Sequence, residues 1–422
     1  MQTHLCRLTG TVNTGPERVA AEALDAADPL AEWVDAFVSE RNAEIYFDGN
    51  SLGRLPLRTR ARLESAVTEW GVDLVRGWGA WIDLPTEVGD RIGRAVLGAD
   101  PGQTVVSDST TVNLFKLAGA AIAAGRPRST IVTDAANFPT DRYVLAGLAA
   151  THQLDLRFID RVDRHAVDEI LDESVALVAL SHVDYRTGAI ADVAEITAAV
   201  HRHGGLVLWD LSHSAGALEI ELDAWDVDLA VGCSYKYLNG GPGAPAWLYV
   251  NRRHHEVLAP PIWGWFAQAD QFAMGQEFRP HAGVRRWLTG TPPVLGIAAV
   301  DESVAMIEEA GITAIRAKGS ALTAYAETLT AAWLEPVGFD CPQLTARGSH
   351  LALIHPEAYR ISCALIAEAG VIADFREPDI LRIGLSPLTT RFVDVWDGFD
   401  RIRALTERQA WERYDVSRGR VT

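Results

Sequence analysis

Between residues 103 and 250, short apolar runs alternate with longer helical stretches. The short runs are Thr104 to Ser107, Ser129 to Thr133, Val175 to Ser181, Leu206 to Asp210, Asp228 to Ser234 and Ala246 to Val250. They are nearly continuous in apolar residues, as strands are when helices cover both faces of a parallel sheet. Strands separated mostly by helices form a βαβ series, so the fold class is α/β, with a mostly parallel central sheet. Ahead of this series, residues 1–45 are acidic, Ala-rich and helical in part. Tyr46 to Gly53 is rich in turn formers, and Pro56 opens another helix. After it, 255–292 is rich in Trp, Gly and Pro and reads as irregular loop. Helical patterns then cover 293–310 and 313–334. The C-terminal part mixes β-rich runs (His350 to Ile354, Leu381 to Gly384) with helices at 358–369 and 392–412, the pattern of a smaller α+β unit. The expected organisation is an N-terminal segment 1–50, a large domain 51–300 and a small C-terminal domain 301–422, with the helix from 293 bridging the two. No internal repeat, low-complexity tract or long linker interrupts it.

Composition narrows the class. The 422 residues are 48% hydrophobic and 22% charged, enough for a large core and unlike a disordered chain. A net charge of −18 gives no electrostatic drive toward nucleic acid or an anionic membrane surface. Charge-free runs stop at about 15 residues, as in Tyr237 to Asn251, where a membrane span needs about 20 apolar ones. Residues 1–10 lack the basic and apolar blocks of a signal peptide. Cys6, Cys233, Cys341 and Cys363 are scattered without a CxxC, which fits a reducing cytoplasm and neither a disulfide frame nor a zinc site. Of 38 cations only three are lysines: Lys116, Lys236 and Lys318. Arg serves well on a surface but cannot act where a deprotonatable amine is needed, so these three are the candidate nucleophiles.

The general motifs are absent: no G-x-G-x-x-G, Walker A, G-x-S-x-G or H-E-x-x-H occurs. His201 and His203 face different sides of a helix and are expected in solvent. Lys116 and Lys318 fall within helical stretches and are expected at the surface. Lys236 differs, because it follows an apolar strand and precedes the turn-rich Tyr237 to Gly243. There a backbone can approach a ligand closely, and burial can lower an amine pKa enough for condensation with an aldehyde. The plainer reading is a loop lysine in water. Asp210 ends the strand Leu206 to Trp209, at the edge where open α/β sheets bind ligands, or else it caps the next helix. Pyridoxal phosphate needs this pair, a lysine for its aldehyde and a carboxylate for its pyridine nitrogen. Ser107 to Thr111 ends a strand and opens a helix, which makes a phosphate seat or an ordinary cap. Asn137-Phe138-Pro139-Thr140-Asp141 follows another strand, with an aromatic that either stacks on a ring or belongs to the core. One cofactor accounts for all four stations.

Several segments resemble the kynureninase family: Tyr46 to Gly53, Asn137 to Asp141, Asp210 to Gly216 and Ser234 to Asn239. Gly264-Trp265-Phe266, Gly290 to Pro293 and Leu381 to Leu388 extend the resemblance, in order, from about residue 44 to 405. It implies a pyridoxal phosphate enzyme of the aspartate aminotransferase fold (fold-type I) that cleaves the Cβ–Cγ bond of L-kynurenine with water, giving anthranilate and L-alanine. It further implies that Lys236 carries the cofactor, Asp210 pairs with the pyridine nitrogen, His213 and Asp141 line the ring, and Phe138 stacks on it. Thr111, with Thr110 beside it, would hold the phosphate, helped by Tyr235, which is also the expected proton donor. Trp265 and Thr291 would reach the phosphate of the partner subunit in a homodimer with shared active sites. Arg382 would clamp the substrate α-carboxylate bidentately, and Asn50 and Ser51 would border the substrate. Members of the vertebrate type, which favour 3-hydroxykynurenine, carry Asn where Thr291 stands. Thr291, with Trp78 and Trp81 in the substrate-loop region, implies the bacterial kind and unsubstituted kynurenine. A cysteine desulfurase or an epimerase-like enzyme of the same fold is the rival reading, and a desulfurase needs a mobile catalytic Cys.

Overall fold

A computed structural model describes residues 17–39, 44–415 and 417. The expectations for Cys6 and residues 1–10 fall outside these. Among the described residues the strands are β1 (Ile45–Tyr46), β2 (Thr104–Val106), β3 (Thr130–Asp134), β4 (Asp155–Ile159), β5 (Val175–Ser181) and β6 (Leu206–Asp210). They continue as β7 (Leu229–Gly232), β8 (Trp247–Val250), β9 (His350–Ile354), β10 (Val371–Ile372), β11 (Asp374–Arg376) and β12 (Ile380–Gly384). The central sheet has the order β2-β8-β7-β6-β5-β3-β4. Only β8 runs against the rest, since β2 and β7 both pair antiparallel with it and the remaining pairs are parallel. The carboxyl ends of β2, β3, β5, β6 and β7 therefore open on one edge.

The continuous apolar runs have the two-sided burial expected of them. Val178, Leu180, Val207, Trp209, Ala230 and Trp247 face one core. Their chain neighbours Leu177, Ala179, Leu208, Val231 and Leu248 face another, on the opposite side of the sheet. This period-two split fixes the register, because a slip of one residue would exchange the faces. The strand β4 was not expected from the sequence. It is the sheet edge, and its run Asp-Leu-Arg-Phe-Ile exposes Asp155 and half-exposes Arg157, so it lacks a continuous apolar signature.

A third core gathers β9, β12 and the C-terminal helix Phe392–Glu407, and it takes in Ala21, Ile45 and Phe47 from the N-terminal part. Here β11-β12-β9 is antiparallel, and β1 pairs in parallel with β10. Ile297, Val300, Val304, Met306 and Ile307 of the helix Val294–Ala310 belong to the sheet core. The next helix, Ile312–Leu329, changes sides: Ile315 belongs to the sheet core, Leu322, Ala326 and Leu329 to the C-terminal one.

Three expectations about charged side chains are corrected. Lys116 is fully buried and Lys318 nearly so, each against an acid: Asp108 at 2.7 Å and Asp28 at 2.7 Å. A buried ammonium is tolerated only when paired, and both are. His201 is not a free surface group, because its Nε2 lies 2.8 Å from the buried carboxylate of Asp228.

Candidate active site

The carboxyl edge of the sheet holds a pocket of about 140 Å³. Thr110 and Thr111 line it from beyond β2, Phe138, Thr140 and Asp141 from beyond β3, and Ser181, Val183 and Tyr185 from the end of β5. Asp210, Ser212 and His213 follow β6, and Tyr235 and Lys236 follow β7. Of the residues expected at the cofactor, eight thus converge in one chain: Thr110, Thr111, Phe138, Asp141, Asp210, His213, Tyr235 and Lys236. Trp265 and Thr291 do not. Trp265 is exposed on a short 3₁₀ turn, and Thr291 borders a separate apolar groove with Trp70, Trp78 and Trp81.

Lys236 is half-buried, so the loop-in-water reading does not describe it. Its Nζ lies 3.3 Å from His213 Nε2 and 6.0 Å from the ring centroids of both Phe138 and Tyr235. Burial holds His213 well below the usual imidazole range, and the charges of Lys236 and Arg382 push the same way, so the ring is neutral. Burial also raises the Tyr235 phenol, which keeps its proton. The turn bearing Lys236 is clamped from outside: Gly53 N–H donates to Tyr235 O at 2.8 Å.

Asp210 and Asp141 are both buried and touch. Burial raises the Asp141 carboxyl well above the usual range, and the neighbouring Asp210 adds to this. The Asp210 carboxylate also accepts from Ser212 N–H at 2.7 Å. Phe138 is set by the residue before it: Asn137 bonds Thr133 Oγ1 at 3.2 Å and accepts from Ser181 Oγ at 2.8 Å. Thr110 and Thr111 open the helix Thr110–Ala124, capped by Ser109 Oγ accepting from Val112 N–H at 3.4 Å. Free backbone N–H groups at that end suit an anion.

Arg382 lies in the neighbouring cluster and is buried. Asp374, its cross-strand partner in the β11–β12 register, takes Nε at 2.9 Å and also Nη2. Nη1 donates to Tyr185 O at 2.6 Å and Nη2 to Ser51 Oγ at 2.9 Å. Asn50, with its amide oxygen turned to the guanidinium, accepts from Nε at 2.7 Å and Nη2 at 3.1 Å. Asn50, Ser51 and Arg382 are thus brought together, with most of the guanidinium donors engaged by the protein. Arg376 Nη2 reaches Asp374 Oδ2 at 2.7 Å, and burial beside Asp374 pushes the Asp48 carboxyl up to about 7. Sequence reasoning missed Asp374, Arg376, Tyr185 and Ser181. Asp374 had a signal: a D…R pair flanking the turn Glu377-Pro378-Asp379 is the opposite-charge pairing a hairpin favours.

A lysine and an acid pair at adjacent strand ends, an aromatic wall and a helix N-terminus form one donor set. It fits an aldehyde, a protonated pyridine ring and a phosphate, and so defines a pyridoxal phosphate enzyme of the aspartate aminotransferase fold. The comparisons with known proteins agree. Residues 90–340 match the aminotransferase class-V family and residues 315–402 the kynureninase C-terminal domain. A kynureninase of Burkholderia pseudomallei (strain K96243) is 41% identical over 93% of this chain and 96% of its own. One of Pseudomonas fluorescens is 39% identical over 92% of this chain and 95% of its own. The chain belongs to the kynureninase family. In backbone it is similar to a cysteine desulfurase from Thermococcus onnurineus NA1, with a TM-score of 0.76 over 89% of this chain and 98% of that one, at 17% identity. It is also similar to a C-DES mutant with glycine linked to its PLP cofactor, with a TM-score of 0.72 over 88% and 99% at 18% identity. That likeness shows the fold. None of the described cysteines lines the pocket: Cys233 and Cys341 are buried, and Cys363 packs half-buried in a helix.

Proposed function

We propose that the chain binds pyridoxal phosphate at Lys236 and hydrolyses L-kynurenine, with 3-hydroxykynurenine the lesser substrate, to anthranilate and L-alanine. The observation that carries the reading is the convergence of Lys236, Asp210 and the Thr110–Thr111 helix start in one pocket of a chain from this family. Bound there, the cofactor would supply an electron-withdrawing protonated ring that takes up charge developing on the substrate. Asp210 keeps the ring nitrogen protonated, with Asp141, its own carboxyl raised by burial, beside it. Phe138 and His213 cover the ring, and Thr110, Thr111 and the helix N-terminus hold the phosphate. Lys236 Nζ moves the α-proton, next to a neutral His213 that does not compete for charge. The Tyr235 hydroxyl, kept protonated by burial, delivers a proton to the carbon released when the Cβ–Cγ bond breaks. Asn50, Ser51 and Arg382 receive the substrate carboxylate, for which Tyr185 O or Ser51 gives up its hold on the guanidinium.

The working unit in this reading is a homodimer that lends Trp265 and Thr291 to the partner's phosphate. Its support is the exposed apolar side chains: Trp70, Val75, Trp263 and Phe272 are 57%, 78%, 69% and 66% exposed. The division into 1–50, 51–300 and 301–422 belongs to the same reading, with the boundary falling within the helix Val294–Ala310. No described helix is long and apolar enough to cross a membrane; a cytoplasmic setting and the absence of nucleic acid partners are proposed from cysteine usage and charge. Incubation of the purified protein and cofactor with kynurenine should produce anthranilate fluorescence. Lys236→Ala should abolish both that signal and the visible absorbance of bound cofactor. Desulfuration of cysteine without turnover of kynurenine would replace this reading with the rival one.

A further inference from the structure

Lys116 is a full turn and more beyond the phosphate seat, yet its side chain runs back along the helix toward Thr110, as helical side chains do. Its Nζ meets three acceptors: Asp108 Oδ2 at 2.7 Å, Ser107 Oγ at 3.0 Å and the carbonyl of Trp287 at 2.7 Å. Ser107 and Asp108 form the turn that leads β2 into the seat, and Asp108 holds the left-handed conformation there, with φ at 49°. The Asp108 carboxylate accepts in addition from Thr289 Oγ1 at 3.1 Å. Thr289 in turn fixes the segment ahead of Phe266: its carbonyl accepts from Phe266 N–H at 3.3 Å. A Cβ on Gly264 would fall 2.1 Å from that same carbonyl oxygen. One ion pair, its ammonium fully buried and its carboxylate partly so, therefore joins the turn of the phosphate seat, the strip Trp287 to Thr291, and the strip Gly264 to Phe266.

The chemistry of the node explains why it is a lysine in a chain where 35 of 38 cations are arginine. An ammonium has three N–H donors, and three acceptors converge on it. A guanidinium brings five in a plane, and in a fully buried place the surplus would lack partners.

We propose that Lys116 is a positioning residue for the cofactor phosphate, locking the seat at Thr110 and Thr111 in register with the strips that carry Thr291 and Trp265. The proposal rests on the cofactor reading above, and in the dimer it ties each subunit's own seat to the side chains it lends its partner.

The full-length protein, freed of cofactor, is titrated with pyridoxal phosphate and separately with pyridoxal, following bound absorbance. The variant is Lys116→Met combined with Asp108→Asn. It removes both charges together, so that none is buried alone, and Asn is at ease in the left-handed conformation. The dissociation constant for pyridoxal phosphate should rise about tenfold or more, and that for pyridoxal should stay within about twofold. Equal weakening of both ligands would mark a merely structural pair and overturn the proposal, as would unchanged affinity for both. Thr289→Val cuts only the link to the second strip and leaves the ion pair intact. It should weaken pyridoxal phosphate alone at an unchanged melting temperature, and a wild-type affinity would overturn the claim that the node spans two segments. Failure of the unaltered protein to bind either ligand would sink the cofactor reading, and the proposal with it.

Discussion

Asp210 and Asp141 are neighbouring buried carboxyls, and of the two Asp210 lies at the end of β6, beside the β7 strand that leads to Lys236. An amide at 210 keeps the shape but cannot hold a pyridine nitrogen in its protonated form. Asp210→Asn should therefore lower kcat by about 100-fold or more while the cofactor stays bound; steady-state rates with a cofactor absorbance check decide it, and a kcat within about twofold of wild type would remove Asp210 from the mechanism. At this scale the site was legible wherever a polar residue ends an apolar run, as Asp210 does and as Lys236 nearly does. It was not legible where function depends on a partner far along the chain. Nothing local to Arg382 says that Asp374, Ser51 and Tyr185 O would occupy its donors. Nor does anything local to Lys318 say that Asp28, from a distant segment, would pair with it.

The strand-to-turn junctions depend on close approach between elements. A Cβ at Gly53 would sit 2.3 Å from Lys236 O, so the loop from β1 fits over the Lys236 turn only with glycine there. Gly53→Ala should push that turn and cost about 1–3 kcal/mol in stability, with cofactor retention falling more than the melting temperature alone would suggest; thermal melts with and without cofactor measure both. A second junction joins the helix Val193–Arg202 to β7, where buried Asp228 binds His201, His254 and Arg253. The hydrogen bond to Asp228 raises the His201 imidazole, and partial burial opposes it. A raised value means the protonated form is favoured in the folded state. The contribution is complete below the unfolded value of about 6.5 and is lost as pH climbs through the higher folded one. His201→Gln should therefore destabilise more at pH 6 than at pH 8.5, as denaturant unfolding at the two pH values would reveal; an equal loss at both would refute the linkage. At this scale β5, β6 and β9 were readable because both ends are marked by turn formers or charge. The edge strand β4 and the two-residue β1 and β10 were not, since pairing across the fold rather than pattern defines them.

For the whole molecule, the exposed Trp70 and Val75 bear on assembly. Replacing both with Glu should leave the fold intact, because neither is buried, and yield monomers with weakened cofactor binding. Sedimentation velocity with a cofactor titration tests this, and a monomeric double variant with unchanged affinity would refute shared sites. The α/β class and the sheet edge carrying the site were legible because apolar continuity reports two-sided burial. The change of core along Ile312–Leu329 was less so, because its helical pattern is uniform while its two ends pack on different cores. The scarcity of lysine has a practical corollary. Lys116 and Lys318 are sealed in the interior, so Lys236 is the one side-chain amine of the folded chain within reach of a dissolved aldehyde. Borohydride trapping should then tag a single lysine per chain, and the yield of that tag would count filled sites directly, without the background that scattered surface amines impose on most proteins.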